Sequence, residues 1–368
     1  MNFKNMISTR EEIESFFGTS PLMGASIRVT KACNFHCKHC YAEGGKKLEN
    51  ELNLGEMKNV IDQLKALNVM EIFFTGGEPF TRRDMVDILN YTNQKGIKIL
   101  ISTNGSLITK GIMEKIGHID FKQFQISIDG PEEVHDFIRI KGAFTKATKA
   151  LDLCGKYVKK NLTVGTVLMK YNWQVLPEVI EIAAEHGADM VSLMLLIYGG
   201  RANESIVPSV GEQKESLDAF FRKYASFEDK IRFATNTTLP SSMVPSEWRR
   251  KKIHEHFACC NFPYSLAVEA NGEVAPCDGF FATPDFICGN IREKSIKEIW
   301  ESLIFKEMRS IDPSDLRGVC SKCKFVKYCA GGCRASSYLC YGNMTMPDPI
   351  CQRFYEAESF PKDCLVNK

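Results

Sequence analysis

The sequence has no run of about 18 apolar residues, the length that a membrane-spanning helix requires, and no long block of one charge. Lys and Arg number 47 against 45 Asp and Glu, for a net charge of +2. Bulk charge therefore gives no support for nucleic acid or an anionic membrane as a partner. The first residues, MNFKNMISTREEIESFF, contain no apolar signal region, so we expect a cytosolic protein.

Cysteine, in contrast, is abundant, with 15 in 368 residues. Because a reducing compartment prevents most disulfides, clustered cysteines there indicate metal or iron–sulfur ligation. Three cysteines fall within residues 33–40, Cys154 stands alone, and the other eleven lie between residues 259 and 364. This uneven distribution predicts two modules.

Short strand-like runs alternate with amphipathic helical patterns from residue 25 to about 235. The helical pattern over residues 54–68 places Met57, Val60, Ile61, Leu64 and Leu67 on one face. Six such β-then-α units predict an α/β fold with a parallel sheet, curled into a partial (β/α)6 barrel of the TIM type. An open doubly wound sheet is the alternative. The strand-like runs cover residues 26–30, 71–75, 98–103, 123–129, 163–169 and 189–196.

The pattern changes beyond residue 200. We expect one more helix over residues 211–226, a strand at IRFAT, and a connector whose basic run, residues 249–252, is a solvated face. Residues 265–277 alternate around Asn271-Gly272, a strong hairpin signal, and residues 295–310 predict one helix. The chain then divides into an N-terminal extension (1–24), the barrel (25–235), a connector (236–258) and a small cysteine-rich C-terminal domain (259–368).

The segment KACNFHCKHCYAE follows the first expected strand and carries Cys33, Cys37 and Cys40. In a parallel barrel such a loop lies at the carboxyl end of the strands, where active sites form. Three thiolates can hold a four-iron cluster and leave its fourth iron open, and an open position is typical of a catalytic metal. Half of a zinc site is the alternative for this spacing taken alone.

Four further motifs follow the second, third, fourth and sixth expected strands: TGGEP (75–79), STNG (102–105), SIDGP (127–131) and YGGRA (198–202). Together with the three cysteines they resemble the radical S-adenosylmethionine (SAM) superfamily. The resemblance implies that Cys33, Cys37 and Cys40 bind a 4Fe–4S cluster, which in its reduced form cleaves SAM to methionine and a 5′-deoxyadenosyl radical. It also implies the SAM-binding residues His39, Gly76, Gly77, Glu78, Ser102, Asn104, Ser127, Asp129 and Arg139.

The resemblance implies distinct contacts for these motifs. The TGGEP backbone and Glu78 would hold the methionine amino group of SAM, and Ser127 and Asp129 would meet the ribose. YGGRA would lie near the adenine. Arg139 would pair with the SAM carboxylate, with a surface helix arginine as the alternative. His39 stands before the third cysteine, at a position that is usually aromatic in the family.

The C-terminal cysteines resemble the SPASM extension of these enzymes, which usually carries two auxiliary 4Fe–4S clusters. A structural zinc knuckle is the alternative. The inner cluster lacks an assigned fourth ligand: Cys260 adjoins Cys259 and either can be the true ligand, Cys288 is another candidate, and an open iron is the remaining possibility. By the resemblance, Cys320, Cys323, Cys329 and Cys351 ligate the outer cluster, and Cys259, Cys277 and Cys333 the inner one.

Asp278 directly follows Cys277. In the sulfatase-maturing branch of the family an aspartate at this place is the general base, and a carboxylate beside a cluster can accept a proton as an electron leaves. A turn aspartate bonded to backbone N–H groups is an equal alternative.

The resemblance implies oxidative modification of a ribosomally made peptide: a thioether, a carbon–carbon crosslink or an oxidative decarboxylation. The alternatives are a small-molecule enzyme such as a haem-biosynthesis decarboxylase, a sulfatase-type maturase and, least favoured, a non-catalytic iron–sulfur electron carrier. The partners implied are the substrate, a separate peptide-recognition protein if the chain does not bind its peptide directly, and a flavodoxin or ferredoxin-type electron donor.

Overall fold

The computed structural model describes residues 21–234, 239–253 and 264–366. Its strands in these ranges form one 10-stranded sheet in the order β10-β9-β8-β1-β2-β3-β4-β5-β6-β7. They are β1 (Gly24–Arg28), β2 (Glu71–Thr75), β3 (Lys98–Thr103), β4 (Gln123–Ser127), β5 (Leu162–Leu168), β6 (Met190–Leu195), β7 (Arg232–Ala234), β8 (Ser265–Val268), β9 (Glu273–Ala275) and β10 (Gly289–Asn290).

Strands β1 to β7 pair in parallel and in sequence order, without a reversal. A doubly wound sheet reverses its strand order at a switch point. The sequential order therefore confirms the predicted partial barrel. The helices of the barrel half are α1 (Leu54–Ala66), α2 (Met85–Gln94), α3 (Lys110–Ile116), α4 (Glu132–Ile138), α5 (Ala143–Cys154), α6 (Glu178–Glu185) and α7 (Val210–Ala225).

Helix α1 shows why these segments are helical. Asn53 caps its amino end in a capping box with Glu56, which satisfies two backbone N–H groups that the helix leaves open. One predicted face is buried against the sheet, through Met57, Val60, Ile61 and Leu64. The apolar sides of the barrel helices and strands form one large core.

The predicted hairpin is present, with β8 and β9 antiparallel around Gly272, whose φ is 89°. The sequence did not predict its position. Strand β8 pairs in parallel with β1, so the start of the cysteine-rich region continues the sheet of the barrel.

The segment predicted as one helix over residues 295–310 is instead two helices, α9 (Ile296–Trp300) and α10 (Leu303–Ser310), after α8 (Ser246–Ile253). Ser302 is extended and stands at the N-cap of α10, a position that serine favours over a helix interior. The break lets Ile299 enter the large core while Met308 enters a second, smaller one.

Short helices complete the C-terminal region: α11 (Val326–Cys329), α12 (Arg334–Tyr341) and α13 (Pro349–Glu356). Across residues 21–234, 239–253 and 264–366, no helix is long and apolar enough to cross a membrane.

His135, on α4, fastens the end of β4 to the helix layer. Its ring is fully buried, and its Nδ1 accepts a hydrogen bond from the Asp129 N–H at 3.0 Å. An acceptor nitrogen must be unprotonated. Burial, followed by the nearby Arg139 charge, lowers the pKa of His135 from 6.5 to about 4.

We therefore expect acid to destabilise the fold through this ring. His135 binds a proton below about pH 6.5 in the unfolded chain but only below about pH 4 in the folded chain, because burial lowers its pKa. The free energy of unfolding then falls by roughly 1.4 kcal/mol per pH unit in that window. His135→Gln reduces the slope in urea titrations followed by circular dichroism. His118→Gln, at an exposed histidine, is the control and keeps it. Equal slopes in both variants would contradict this account.

Candidate functional site: two sets of cysteines at the carboxyl end of the sheet

The cysteine loop after β1 and the TGGEP loop after β2 are held together by backbone hydrogen bonds. The Gly77 N–H donates to the Thr30 carbonyl at 2.7 Å, and the Glu78 N–H donates to the Ala32 carbonyl at 2.8 Å. A Cβ added at Gly77 would lie 2.1 Å from the Ala32 oxygen, and Gly76 has a φ of 135°. Glycine is required at both positions because the two backbones approach so closely.

Cys33, Cys37 and Cys40 lie together in a small apolar cluster with Phe35 and Ala143. Burial is the main cause that raises the pKa of Cys33 to about 11 and also raises the pKa of Cys37. The Phe35 N–H donates to the Cys33 sulfur at 3.4 Å. The Cys33 and Cys37 thiols are therefore stable when protonated, and a metal group that replaces their protons would make them thiolates, which fits ligands of an iron–sulfur cluster.

The YGGRA motif holds the cysteine loop in place through contacts with its backbone. Arg201 donates through Nε to the Cys37 carbonyl at 2.8 Å and through Nη1 to the Gly44 carbonyl at 3.2 Å. A Cβ at Gly200 would lie 2.6 Å from the Cys40 carbonyl oxygen. The sequence linked this motif to adenine, whereas its contacts in the structure are with the cysteine loop.

Glu78 is buried at 1% exposure and joins the ends of β2 and β3. Its Oε1 accepts the Thr103 hydroxyl at 2.8 Å and the Phe80 N–H at 3.1 Å, and its Oε2 accepts the Asn104 N–H at 2.7 Å. Burial raises the pKa of Glu78, while these donors oppose that rise. An ionised carboxylate has about four acceptor sites, so three internal donors leave about one for a ligand.

The STNG motif also reaches the cysteine loop. The Asn104 amide donates to Asn34 Oδ1 at 3.0 Å, and the Asn34 amide donates to Ser106 at 2.8 Å. Ser102 accepts a hydrogen bond from Gln125 at 3.1 Å. Ser127, at the end of β4, is half-buried. Asn34 and Ser106 are not among the site residues predicted from the sequence.

Asp129 and Arg139 form a buried ion pair, with Arg139 Nε 2.7 Å from Asp129 Oδ2. Asp129 Oδ1 accepts the Val167 N–H at 3.2 Å, and the side chain has no exposed surface. Burial alone would raise the pKa of Asp129, but the Arg139 charge holds it at about 2. Its carboxylate therefore positions Arg139 and accepts the Val167 N–H, while its contact with the ribose of SAM stays a prediction.

Arg139 itself is not a surface helix arginine. Its side chain is only 8% exposed, and its Nη1 lies 3.9 Å from the Cys37 sulfur. The guanidinium thus stands beside the predicted cluster with N–H groups that Asp129 does not use. That placement suits a carboxylate held next to the cluster.

His39 carries a buried Nδ1 atom without a hydrogen-bond partner. Burial lowers the pKa of His39 to about 4, so the ring is neutral at pH 7. An orphaned buried ring nitrogen is costly unless a bound group satisfies it. It fits a site that is completed by a ligand.

The predicted outer set of cysteines is also brought together. Cys351 interacts electrostatically with Cys329 and Cys320, and Cys329 with Cys323. Burial raises the pKa of all four thiols, to about 12 at Cys320.

Each of these four sulfurs receives a hydrogen bond. The Ser242 hydroxyl lies 3.2 Å from the Cys351 sulfur. Backbone N–H groups of Asp348, Phe325 and Ser241 serve the other three, Cys320, Cys323 and Cys329 respectively. Hydrogen bonds to sulfur stabilise thiolates and tune iron–sulfur clusters.

Arg249 corrects the prediction for the basic run. It is buried at 5% exposure, pairs with Asp363 at 2.6 Å and stacks over the Phe325 ring at 5.0 Å. It therefore belongs to the wall of the outer cysteine set and not to a solvated face.

The inner set is described in part. Cys277 and Cys333 lie in the smaller core with Phe280 and Ala335. Cys288 lies elsewhere, in the large core, where its thiol donates to the Phe286 carbonyl at 3.3 Å. Its candidacy as the fourth ligand thus has no support. Cys259 and Cys260 fall outside the described residues.

Asp278 lies between the two cysteine regions and pairs with Arg28 of β1 at 3.3 Å. Arg28 also binds Glu269 at 2.8 Å and stacks over the Tyr41 ring at 5.4 Å. Asp278 is thus an ion-paired carboxylate. In the ranges that the structure describes, no three His, Cys, Asp or Glu side chains are arranged to hold a single metal ion, whereas the cysteines of a four-iron cluster each bind a different iron.

Gly77→Ala tests the close contact of the two loops. The added Cβ overlaps the Ala32 carbonyl, so we expect a loss of roughly 1–3 kcal/mol in the free energy of unfolding and loss of SAM binding by the iron-loaded protein. Gly111→Ala is the control, because nothing lies within 4 Å of its Cβ position in α3. Thermal unfolding and calorimetric titration with SAM measure both effects. Wild-type behaviour of Gly77→Ala would overturn the assignment.

Comparison with known proteins extends these observations. The radical SAM superfamily matches residues 27–200, and the iron–sulfur cluster-binding domain SPASM matches residues 259–324. The AdoMet-dependent heme synthase of Methanosarcina barkeri is 30% identical over 338 residues, 88% of this chain and 94% of that protein. The mycofactocin maturase MftC of Mycolicibacterium smegmatis is 27% identical, over 92% of this chain and 85% of that protein.

Solved structures share the fold. The chain anSMEcpe with bound AdoMet gives a TM-score of 0.73 at 20% identity, over 92% of this chain and 96% of that one. Streptococcus suis SuiB bound to its precursor peptide SuiA gives 0.72 at 18% identity, over 93% of this chain and 78% of that one. The sequence matches to the superfamily and to the heme synthase show that this chain belongs to the radical SAM superfamily and carries a SPASM iron–sulfur cluster-binding domain.

Proposed function

We propose that this enzyme cleaves SAM at a 4Fe–4S cluster held by Cys33, Cys37 and Cys40 and uses the 5′-deoxyadenosyl radical to oxidise a ribosomally made peptide. One observation carries the proposal. Three thiols meet in one apolar cluster, and the Arg139 guanidinium lies 3.9 Å from the Cys37 sulfur. A structural metal site would need a fourth protein ligand, whereas a catalytic one leaves room for the substrate.

The cofactors supply the radical chemistry, and the protein binds and orients them. When bound and reduced, the cluster supplies the electron that splits SAM into methionine and a 5′-deoxyadenosyl radical, which takes a hydrogen atom from the substrate. Arg139, held by Asp129, offers its remaining N–H groups to the SAM carboxylate. The TGGEP carbonyl groups and the remaining acceptor site of Glu78 receive the SAM amino group.

Loss of a hydrogen atom leaves a substrate radical, and oxidation must then remove one more electron. We assign that electron to the SPASM clusters: the outer one on Cys320, Cys323, Cys329 and Cys351, and the inner one on Cys277, Cys333 and a cysteine at 259 or 260. We assign the accompanying proton to Asp278, which follows Cys277 and pairs with Arg28 at 3.3 Å.

The charges around the cysteine loop favour a peptide as the substrate. Arg28 is engaged by Glu269 and Asp278, and Arg201 by two carbonyl groups of the loop. These internal contacts reduce the number of N–H groups that the two arginines can offer to the several carboxylates of a tetrapyrrole. A peptide needs few cationic partners, and one relative of comparable length is named a mycofactocin maturase.

A tetrapyrrole carboxylate is the second candidate. It is favoured by the heme synthase relative, which this chain matches over 94% of that protein's length. Both candidates share the same radical step and differ in what fills the space beside Asp278.

The radical step is tested with Cys37→Ala. We expect 5′-deoxyadenosine formation under dithionite to fall to background, and iron to fall from about twelve to about eight per chain, because one of three four-iron clusters is lost. Cys340→Ala is the control, since Cys340 is exposed and outside the assigned ligand sets. Cleavage retained in Cys37→Ala would sink the assignment. Four irons with bound zinc in the wild type would remove the auxiliary clusters.

The same assay separates the substrates. Peptides encoded by neighbouring genes and iron coproporphyrin III are each added, and 5′-deoxyadenosine is measured above the substrate-free rate. Mass spectrometry then distinguishes loss of hydrogen alone from loss of carbon dioxide. Stimulation by the porphyrin and by none of the peptides would replace the first candidate by the second.

Ser242→Ala tests the outer cluster site. Its hydroxyl lies 3.2 Å from the Cys351 sulfur and would donate to it once Cys351 is a thiolate ligand, and removing that donor disfavours the more negative, reduced cluster. We expect a lower reduction potential in an electron paramagnetic resonance titration, recorded in the Cys37→Ala background. Ser241→Ala is a matched control, because Ser241 donates through its backbone N–H. An equal shift in both variants, or none in either, would contradict a role of the hydroxyl.

A further inference from the structure

A basic face covers the outer cysteine set. Between Leu316 and Pro347 the sequence contains no Asp or Glu, although the whole chain is nearly balanced in charge. Four cationic side chains in this stretch are exposed: Arg317, Lys322, Lys324 and Lys327. The three lysines alternate with the cluster cysteines in the sequence CSKCKFVKYC, residues 320–329.

The backbone explains why the cations face outward. Cys323 pairs with Leu365 in an antiparallel bridge, and the bridge is flanked by the Lys324 N–H bonded to the Cys364 carbonyl and the Val366 N–H bonded to the Lys322 carbonyl. Side chains alternate in extended backbone. Lys322 and Lys324 therefore share the outer side, while Cys323 points inward to the other thiols.

The lysines of the bridge make hydrogen bonds to groups other than carboxylates. Asp363, next to Cys364 of the bridge region, is paired with the buried Arg249 at 2.6 Å. Lys322 donates to the Tyr355 hydroxyl at 2.8 Å, and Lys324 donates to the Asp363 backbone carbonyl at 3.2 Å.

Apolar groups are exposed between the cations. Tyr328 is 37% exposed and Val366 is 57% exposed. Cys323 and Cys329 are themselves only half-buried, so the site lies close to the surface. A rim of cations around a few apolar groups, directly over a redox site, is suited to brief docking of an acidic partner.

We propose that this basic face docks an acidic one-electron carrier protein of the flavodoxin type, which exchanges electrons with the enzyme through the outer cluster. The proposal rests on the proposed function. In the reducing direction the anionic flavin hydroquinone gives one electron to the cluster held by the outer thiols and becomes the neutral semiquinone, and no proton moves.

A second surface is less well suited to an acidic carrier protein. Near the SAM cluster loop, Lys38 stacks over Phe137 at 4.5 Å, and Phe137 is 56% exposed. The exposed Glu132 and Glu133 lie on the same helix as Phe137, so this face has mixed charge. It provides the competing prediction.

The test mixes flavodoxin hydroquinone with the iron-loaded enzyme in an anaerobic stopped-flow instrument and follows the semiquinone. In the variant with Lys322, Lys324 and Lys327 all changed to Gln, we expect the second-order rate at low ionic strength to fall by roughly tenfold or more and to lose its salt dependence. The control changes Lys156, Lys159 and Lys160 to Gln, three exposed lysines before β5 at the opposite end of the barrel. It keeps the wild-type rate.

The outcomes separate two kinds of failure. If dithionite reduces the outer cluster in every variant but the flavodoxin rate is the same in all of them, the docking proposal is overturned. If no outer-cluster resonance signal forms even with dithionite in the wild type, the proposed function fails.

Carbodiimide crosslinking of the unaltered enzyme to flavodoxin needs no variant to fold. Crosslinks at Lys322, Lys324 or Lys327 support the proposal. Crosslinks confined to Lys38 would overturn it.

Discussion

The close contact between the TGGEP loop and the cysteine loop is the constraint on which the site depends. The ladder between β1 and β2 continues past the strand ends through Gly77 and Glu78. Any side chain at Gly77 would collide with the Ala32 carbonyl. Because the contact is made by backbone atoms, it fixes the cysteine loop without using the side chains that bind ligands. Glu78 then carries the same constraint to β3 through Thr103 and Asn104.

The charges of the site are fixed by burial and ion pairing. Arg139 and Asp129 are both buried, and one removed without the other would leave an unpaired charge in the barrel, a loss of several kcal/mol. The surrounding rings, His39 and His135, stay neutral because burial lowers the pKa of each to about 4. The guanidinium thus remains the cation beside the Cys37 sulfur, where both a thiolate-bound cluster and a ligand carboxylate gain from it.

The sequence predicted most of the fold and the thiols of the site, and the reasons are local. Strands at residues 71–75 and 98–103 agree with β2 and β3 to the residue, because each is a short apolar run between polar loops. What it missed depends on contacts between distant segments. Arg201 reaches the Cys37 carbonyl across 164 positions, and Arg249 reaches Asp363 across 114. A basic run or a motif such as YGGRA does not show which distant residue its arginine will contact in the fold.

The same limit explains Asp129. A carboxylate after a strand suits an arginine as well as a ribose, and the sequence does not record that Asp129 is buried against Arg139. The helix break at Ser302 is a comparable case, since one continuous helix would satisfy the local pattern equally well, and the sequence does not record that Ile299 and Met308 pack in different cores.

Arg28 shows how the barrel and the SPASM region are joined. It lies on β1, contacts Tyr41 just after Cys40, and pairs with Asp278 just after Cys277. Strand β8 beside β1 adds Glu269 to the same guanidinium. A buried arginine with two carboxylates is stable only if all partners stay in place, so the two cysteine regions are held at a fixed separation. The electron transfer proposed between them then needs no domain movement.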